Sequence, residues 1–166
     1  MSDTNALVVK EVPIQSDGSG QMIKYIDFPD TVICIYKNVN EKYLFIKQFR
    51  PVFNDYFIEF PGGSIESNET IEDCGKREFK EETGLNPLEV ERLTTVIPSI
   101  GLTTEKIHIL IVKAIQNDFH NIPETQILIE WIDSKIALEM VNTGVILDAK
   151  TIIGVLMLNQ RNKKYP

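Results

Sequence analysis

The sequence predicts an α+β protein, a three-layer α/β/α sandwich, and three features of its apolar pattern carry that expectation. Short apolar bursts separated by turn residues open the chain, one stretch of helical spacing sits between strands, and two helical stretches close it. Strands with helices available for both faces of a sheet make one of the few stable layered arrangements. At 166 residues, with 43% hydrophobic and 25% charged residues, there is material for a single domain, residues 1–166.

The opening bursts are ALVVKEVPI, QMIKYIDF, DTVICIYKN and EKYLFIKQF, divided by SDGSG, PD and NVNE. Val, Ile, Tyr and Phe suit a pleated, half-buried surface and the dividing residues are turn formers, so strands arranged in hairpins are expected. FNDYFIEFPGG adds a short strand that runs into a Gly-rich turn. Over residues 67–83 the period lengthens, with Ile71, Cys74 or Gly75, and Phe79 on one stripe and Leu85 at its far end. Ser67 or Asn68 is placed to cap this helix, and Gly84 to end it in the left-handed conformation. Gly75 costs on the order of 1 kcal/mol of helix propensity against Ala, which close packing on the sheet would explain. LTTVIPS, KIHILIVKAI and QILIEWI read as further strands, and residues 134–142 and 147–159 as helices joined by TGV.

A net charge of −7 argues against nucleic acid as a partner, which needs clustered Lys and Arg. The apolar run at residues 152–158 falls far short of the roughly 18 residues a membrane span requires. MSDTNALVVK lacks the basic-then-apolar order of a secretory leader. Cys34 and Cys74 lie in apolar patterns and read as small buried residues, not as a disulfide framework. A reduced, cytoplasmic protein is expected.

The chemistry concentrates in REFKEETG, residues 77–84. Residues three and four apart share a helix face, so Glu78 projects beside Glu81 and Glu82, and Arg77 beside Glu81. Like charges so placed repel by a few tenths of a kcal/mol per pair, and a bound cation would offset that cost. Hard carboxylate oxygens suit Mg²⁺ or Mn²⁺, which keep several waters and bridge to phosphates. Arg77 can hold one carboxylate through a forked hydrogen bond. Upstream, Pro61-Gly62-Gly63 leaves backbone carbonyls unobstructed, and one from Gly62 or Gly63 can complete a metal shell.

Residues 63–85 together resemble the Nudix box, GX5EX7REUXEEXGU with U apolar, at every fixed position: Gly63, Glu69, Arg77, Glu78, Phe79, Glu81, Glu82, Gly84 and Leu85. The resemblance implies a Nudix-type α/β/α sandwich with a mixed sheet, and metal-dependent hydrolysis of a nucleoside diphosphate linked to another moiety. By position, Glu78 and Glu82 would be the principal metal ligands and Glu81 a further ligand or bridging group. Arg77 would orient them, Glu69 would support the loop before the helix, and Gly62 would lend a carbonyl.

Outside the box, Gln48-Phe49-Arg50 and Glu59-Phe60-Pro61-Gly62-Gly63 are similar to the ADP-ribose and nucleotide-sugar pyrophosphatase branch, as is the stretch from ETQILIEWI to DAKTIIGVL. Arg50, Glu59 and Gly63 are therefore expected on the substrate side, with Arg50 matching phosphate oxygens bidentately. One position departs from that branch: Ile100, in Pro98-Ser99-Ile100-Gly101, stands where its ADP-ribose marker Pro falls. ADP-ribose, giving AMP and ribose 5-phosphate, is the first expected substrate, followed by other ADP- or GDP-linked sugars. A triphosphate-cleansing enzyme and a non-catalytic nucleotide-sugar sensor are the alternatives. A carboxylate is expected to take the proton of the attacking water; Glu124, in NIPETQ, is favoured over Glu105, in LTTEK. Members of the branch exchange N-terminal strands in dimers, so a homodimer formed through residues 1–29 is expected.

Overall fold

The structure, a computed structural model, describes residues 8–14, 21–119 and 127–164. The strands are β1 (Val8–Pro13), β2 (Met22–Asp27), β3 (Thr31–Tyr36), β4 (Lys42–Arg50), β5 (Asp55–Glu59), β6 (Gly62–Ser64), β7 (Leu85–Val96), β8 (Ile107–Phe119) and β9 (Ile127–Asp133). The helices are α1 (Ile71–Thr83), α2 (Ser134–Asn142) and α3 (Ala149–Lys164).

The central sheet has the order β6-β3-β8-β7, with β3 and β8 parallel and both outer pairs antiparallel. Successive side chains of a strand point to opposite faces, and β3 divides the core accordingly. Ile33 and Ile35 pack with Ile109, Phe60, Val155 and Leu158 on the α2–α3 side. Val32, Cys34 and Tyr36 pack with Cys74, Phe79 and Leu110 on the α1 side. Two apolar clusters on two faces make the expected α/β/α sandwich with a mixed sheet. Both cysteines are buried and unpaired.

Four local readings are corrected. β3 and β4 do not form a hairpin: beyond the isolated Lys37–Tyr43 bridge, β4 leaves to join β5 and β9 in a second sheet. The turn between them is set by Asn38, whose side chain accepts from the Asn40 and Lys42 amides, and by Glu41 at φ 61°. The Gly62-Gly63 segment is a short strand on β3 rather than only a turn. Thr70, not Ser67 or Asn68, caps α1, accepting from the Asp73 amide at 3.1 Å; Asn68 sits at φ 68°, outside the extended region a cap occupies. β7 absorbs NPLEVER, where register shifts disrupt the alternation that marks a strand.

Gly84 ends α1 at φ 70°, as expected. Gly75 faces β8: a Cβ there would come within 2.4 Å of the Leu110 side chain. Its helix-propensity cost thus secures the approach of α1 to the sheet. The β1–β2 hairpin joins the rest through Ile26, which pairs with Leu102 and Thr104, and through Thr104 Oγ1, which accepts from the Phe28 amide. No described helix is long and apolar enough to cross a membrane.

Candidate active site

Phe79 and Cys74 lock α1 into the core, and in that setting Glu78 and Glu82 meet β6. Arg77 is the hub of that face. Its Nε and one Nη donate to Glu69 at 2.8 and 2.9 Å, the other Nη donates to Glu78 at 2.7 Å and to Glu81 at 3.3 Å, and Ser64 O accepts at 3.2 Å. One guanidinium thereby ties the end of β6, the connecting loop and two turns of α1. These hydrogen bonds hold the Glu69 carboxyl down to about 2, while burial raises that of Glu78.

Glu82 reaches the strand instead of the arginine, accepting from the Gly62 amide at 2.7 Å. Burial, with the nearby charges of Glu78 and Glu59, pushes its carboxyl up to about 7 against the pull of that amide and Arg50. Glu78 lies against Gly63, where a Cβ would meet the carboxylate at 2.3–2.6 Å. The two glycines and two carboxylates thus form one seat between β6 and α1. Glu81 is the outer member, 58% exposed.

Among the described residues no three acidic, histidine or cysteine side chains already converge as a ligand set. The donors nonetheless fit a hard divalent cation. They are carboxylate oxygens held by a glycine pair that no Cβ obstructs, and burial penalises their charge until a cation compensates it.

Arg50 faces the same cleft from the end of β4, but its fork is turned onto Glu59, with Nε and Nη donating at 2.7 and 2.7 Å. Glu59 is only 4% exposed and also accepts from Lys150 Nζ at 2.8 Å. Burial alone would raise its carboxyl; Arg50 and Lys150 together bring it below the ordinary value. Lys150 in turn donates to Asp148 at 2.6 Å, and Asp148 caps α3 by accepting from the Thr151 amide at 3.0 Å. Sequence reasoning missed Lys150 and Asp148 as site residues. The available signal was a lysine in a first helical turn, where the helix dipole disfavours a cation.

A cleft of about 330 Å³ runs between the glycine pair and the end of β4, lined among others by Gly62, Gly63, Arg50, Asp148, Lys150 and Glu105. Glu105 accepts from Thr31 Oγ1 at 2.9 Å, which places one of the two expected bases in the cleft. Pro98 lines the cleft whereas Ile100 stands 86% exposed in the loop. Glu124 and His120 lie outside the described residues. His108 is a buried strand residue that pairs with Thr95, and Trp131 packs edge-on against Tyr36, as their patterns imply.

A NUDIX domain model matches residues 27–135, more than half of the chain. GDP-mannose pyrophosphatase of Escherichia coli (strain K12) is 32% identical over 137 residues, covering 76% of this chain and 70% of that protein. ADP-sugar pyrophosphatase of Mus musculus is 35% identical over 83 residues, 50% of this chain and 38% of the relative. An uncharacterized Nudix hydrolase of Schizosaccharomyces pombe is 37% identical over 65 residues, 39% of this chain and 32% of the relative. The matched stretch thus spans about a third of the length of the mouse and yeast relatives. The crystal structure of an ADP compounds hydrolase shares the fold, with a TM-score of 0.81 at 14% identity over 99% of this chain and 90% of that one. An unbroken box seated between β6 and α1, together with a domain match over most of the sandwich, leaves one conclusion: the chain belongs to the NUDIX family.

Proposed function

We propose that this protein hydrolyses the diphosphate bond of a nucleotide sugar with a divalent metal, and that ADP-ribose, cut to AMP and ribose 5-phosphate, is its first substrate. The observation that carries this reading is the seating of Glu78 and Glu82 against Gly63 and Gly62. Glu78, Glu82, the Gly62 carbonyl and Glu81 would hold Mg²⁺ or Mn²⁺. When bound, the metal neutralises the diphosphate and lowers the pKa of a coordinated water.

The protein's own residues orient and exclude. Arg77 fixes Glu78 and leaves Glu81 able to swing, since that contact is longer and more exposed. The Gly62 amide fixes Glu82. Glu124 is the proposed base, with Glu105 the second candidate because it lines the cleft. Arg50, Glu59 and Gly63 form the substrate side; Arg50 keeps donors beyond the two that Glu59 occupies, and those can meet a phosphate oxygen.

A second reading, a GDP-linked hexose as substrate, is favoured by the wider match to GDP-mannose pyrophosphatase than to ADP-sugar pyrophosphatase. A panel of ADP-ribose, ADP- and GDP-sugars and nucleoside triphosphates, assayed with Mg²⁺, Mn²⁺ or chelator, separates the readings. Turnover that ignores the chelator or favours triphosphates defeats the main proposal.

We further infer a homodimer, because the β1–β2 hairpin exposes apolar side chains on both faces, Val8, Val12 and Ile23 on one and Val9 and Met22 on the other. A monomer by light scattering at micromolar concentration would dismiss it. The two unpaired cysteines fit a reducing, cytoplasmic setting.

A further inference from the structure

Beside the metal cleft lies a second cavity of about 430 Å³, between the β4–β5 turn and the start of α3. Arg50, Asp148, Ala149 and Lys150 line both spaces, so the two are neighbours across one wall. The far side is apolar, built by Phe53, Phe57 and Leu147. Its size lies within the range of small-molecule sites, and so does its make-up, apolar walls with a few fixed polar groups.

We propose that this second cavity is a sugar subsite, taking the non-nucleotide sugar of the substrate whose diphosphate lies in the adjoining cleft. The inference deepens the nucleotide-sugar reading and rests on it.

Charge argues for a neutral ligand. Arg50 and Lys150 contribute two positive charges, Glu59 and Asp148 two negative ones, and all four are paired at 2.6–2.8 Å. A wall so balanced gives a bare phosphate little electrostatic advantage.

Unused hydrogen-bonding capacity argues for hydroxyls. Lys150 has three N–H donors and commits two, to Glu59 and Asp148. Asp148 accepts once on each oxygen, from Lys150 and from the Thr151 amide, which leaves lone pairs open. Donors and acceptors therefore remain side by side, and a sugar hydroxyl, which both donates and accepts, satisfies such a mixture.

The aromatic wall argues for a ring with one apolar face. Phe53 is 70% exposed, and its ring meets that of Phe57 at 5.2 Å and 57°. The two rings pack on each other and present one wall, with no slot between them for a flat base. The C–H face of a sugar can lie on Phe53 and remove that apolar surface from water.

The test measures the two product halves separately. Wild type, Phe53→Ala and Lys150→Met are titrated with ribose 5-phosphate, mannose 1-phosphate, AMP and GMP, and binding is followed by NMR shifts. ADP-ribose and GDP-mannose turnover is assayed in parallel. The subsite predicts that both variants weaken at least one sugar phosphate about tenfold, as expected for loss of a well-made contact, and that Phe53→Ala, which lines this cavity and not the adjoining cleft, leaves the mononucleotides within about twofold. Phe53 is exposed, so its truncation leaves the fold intact. Unchanged sugar-phosphate binding in Phe53→Ala, or a loss confined to AMP or GMP, overturns the proposal. Weakened sugar-phosphate binding in a protein that turns over neither substrate upholds the subsite and removes the enzyme reading instead.

Discussion

Arg77 and Glu69, eight residues apart, form a two-point ion pair at 2.8 and 2.9 Å that closes the loop between β6 and α1. Arg77 is 26% exposed and Glu69 14%, so the pair lies in a partly dry environment where it is worth more than a surface pair. Because the same guanidinium also holds Glu78, the loop and the proposed metal seat share one support.

Arg77→Lys keeps the charge but not the fork, and a single ammonium cannot serve Glu69, Glu78 and Ser64 O together. Urea denaturation is expected to show a loss of about 2 kcal/mol, with activity falling as well. Glu69→Gln should share the stability loss. Since the Glu69 carboxyl is held below its ordinary value, its contribution is complete above the unfolded pKa, near pH 4.5, and fades as pH falls toward about 2. Acid titration of the melting temperature should therefore be shallower in Glu69→Gln than in wild type. Parallel curves would show that the ion pair contributes nothing.

Glu82 gives the opposite slope. Its folded pKa is raised from 4.5 to about 7, so the protonated form is favoured in the fold. Without metal the folded protein loses stability as pH climbs from 4.5 through about 7, by on the order of 3 kcal/mol. Glu82→Gln, which cannot ionise, should flatten that slope in chelator and cut turnover by about 10²-fold or more. Adding Mn²⁺ to wild type at pH 8 should restore stability, because binding to the folded state compensates the buried charge. If Mn²⁺ raised the melting temperature of Glu82→Gln as strongly as that of wild type, Glu82 would not be a ligand.

The box was legible because its chemistry is local: Glu78, Glu81 and Glu82 lie within one helix, and spacing alone puts them on one face. The core strands were legible for the same reason, since β3 reads its two-sided burial directly from TVICIY. What the sequence hid was long-range. Lys150 meets Glu59 across ninety-one positions, and nothing near either residue announces the other. Arg50 reads as a phosphate ligand, and only the fold brings its fork onto Glu59, a residue the register sets opposite Ile46 while Arg50 itself faces Asp55. Ser67 and Asn68 read as caps because Ser, Thr and Asn are all good ones, and what decides for Thr70 is the start of the helix at Ile71, where the Thr70 side chain accepts from the Asp73 amide.

The choice of base can be made kinetically. Glu105 lines the cleft and accepts from Thr31, whereas Glu124 is favoured on resemblance. Removing a general base is expected to lower kcat by about 10² to 10⁴ with little change in KM, and to remove the acidic limb of the pH–rate profile. Glu124→Gln should do this and Glu105→Gln should not. The reverse result would transfer the role to Glu105; a small effect in both would leave the proton to water or to the seat itself.

Gly62 and Gly63 are adjacent but should fail differently when a methyl is added. At Gly62 a Cβ would sit 2.1 Å from Val32 O and 2.9 Å from Ile33 Cα, both backbone atoms of β3 that cannot give way. Gly62→Ala must push β6 off the sheet, and a loss of about 3 kcal/mol or failure to fold is expected. At Gly63 the nearest atoms are the carboxylate of Glu78, the far end of a side chain, at 2.3–2.6 Å. Glu78 can rotate away only by giving up its hydrogen bond from Arg77, so Gly63→Ala should cost about 1 to 2 kcal/mol in urea, less than Gly62→Ala. Displacing that carboxylate should nonetheless cost about 10- to 100-fold in Mn²⁺ affinity by calorimetry, with a parallel loss of turnover. A Gly63→Ala protein that binds Mn²⁺ as wild type does would mean that Glu78 has no part in holding the metal, and the seat between β6 and α1 would have to be reassigned.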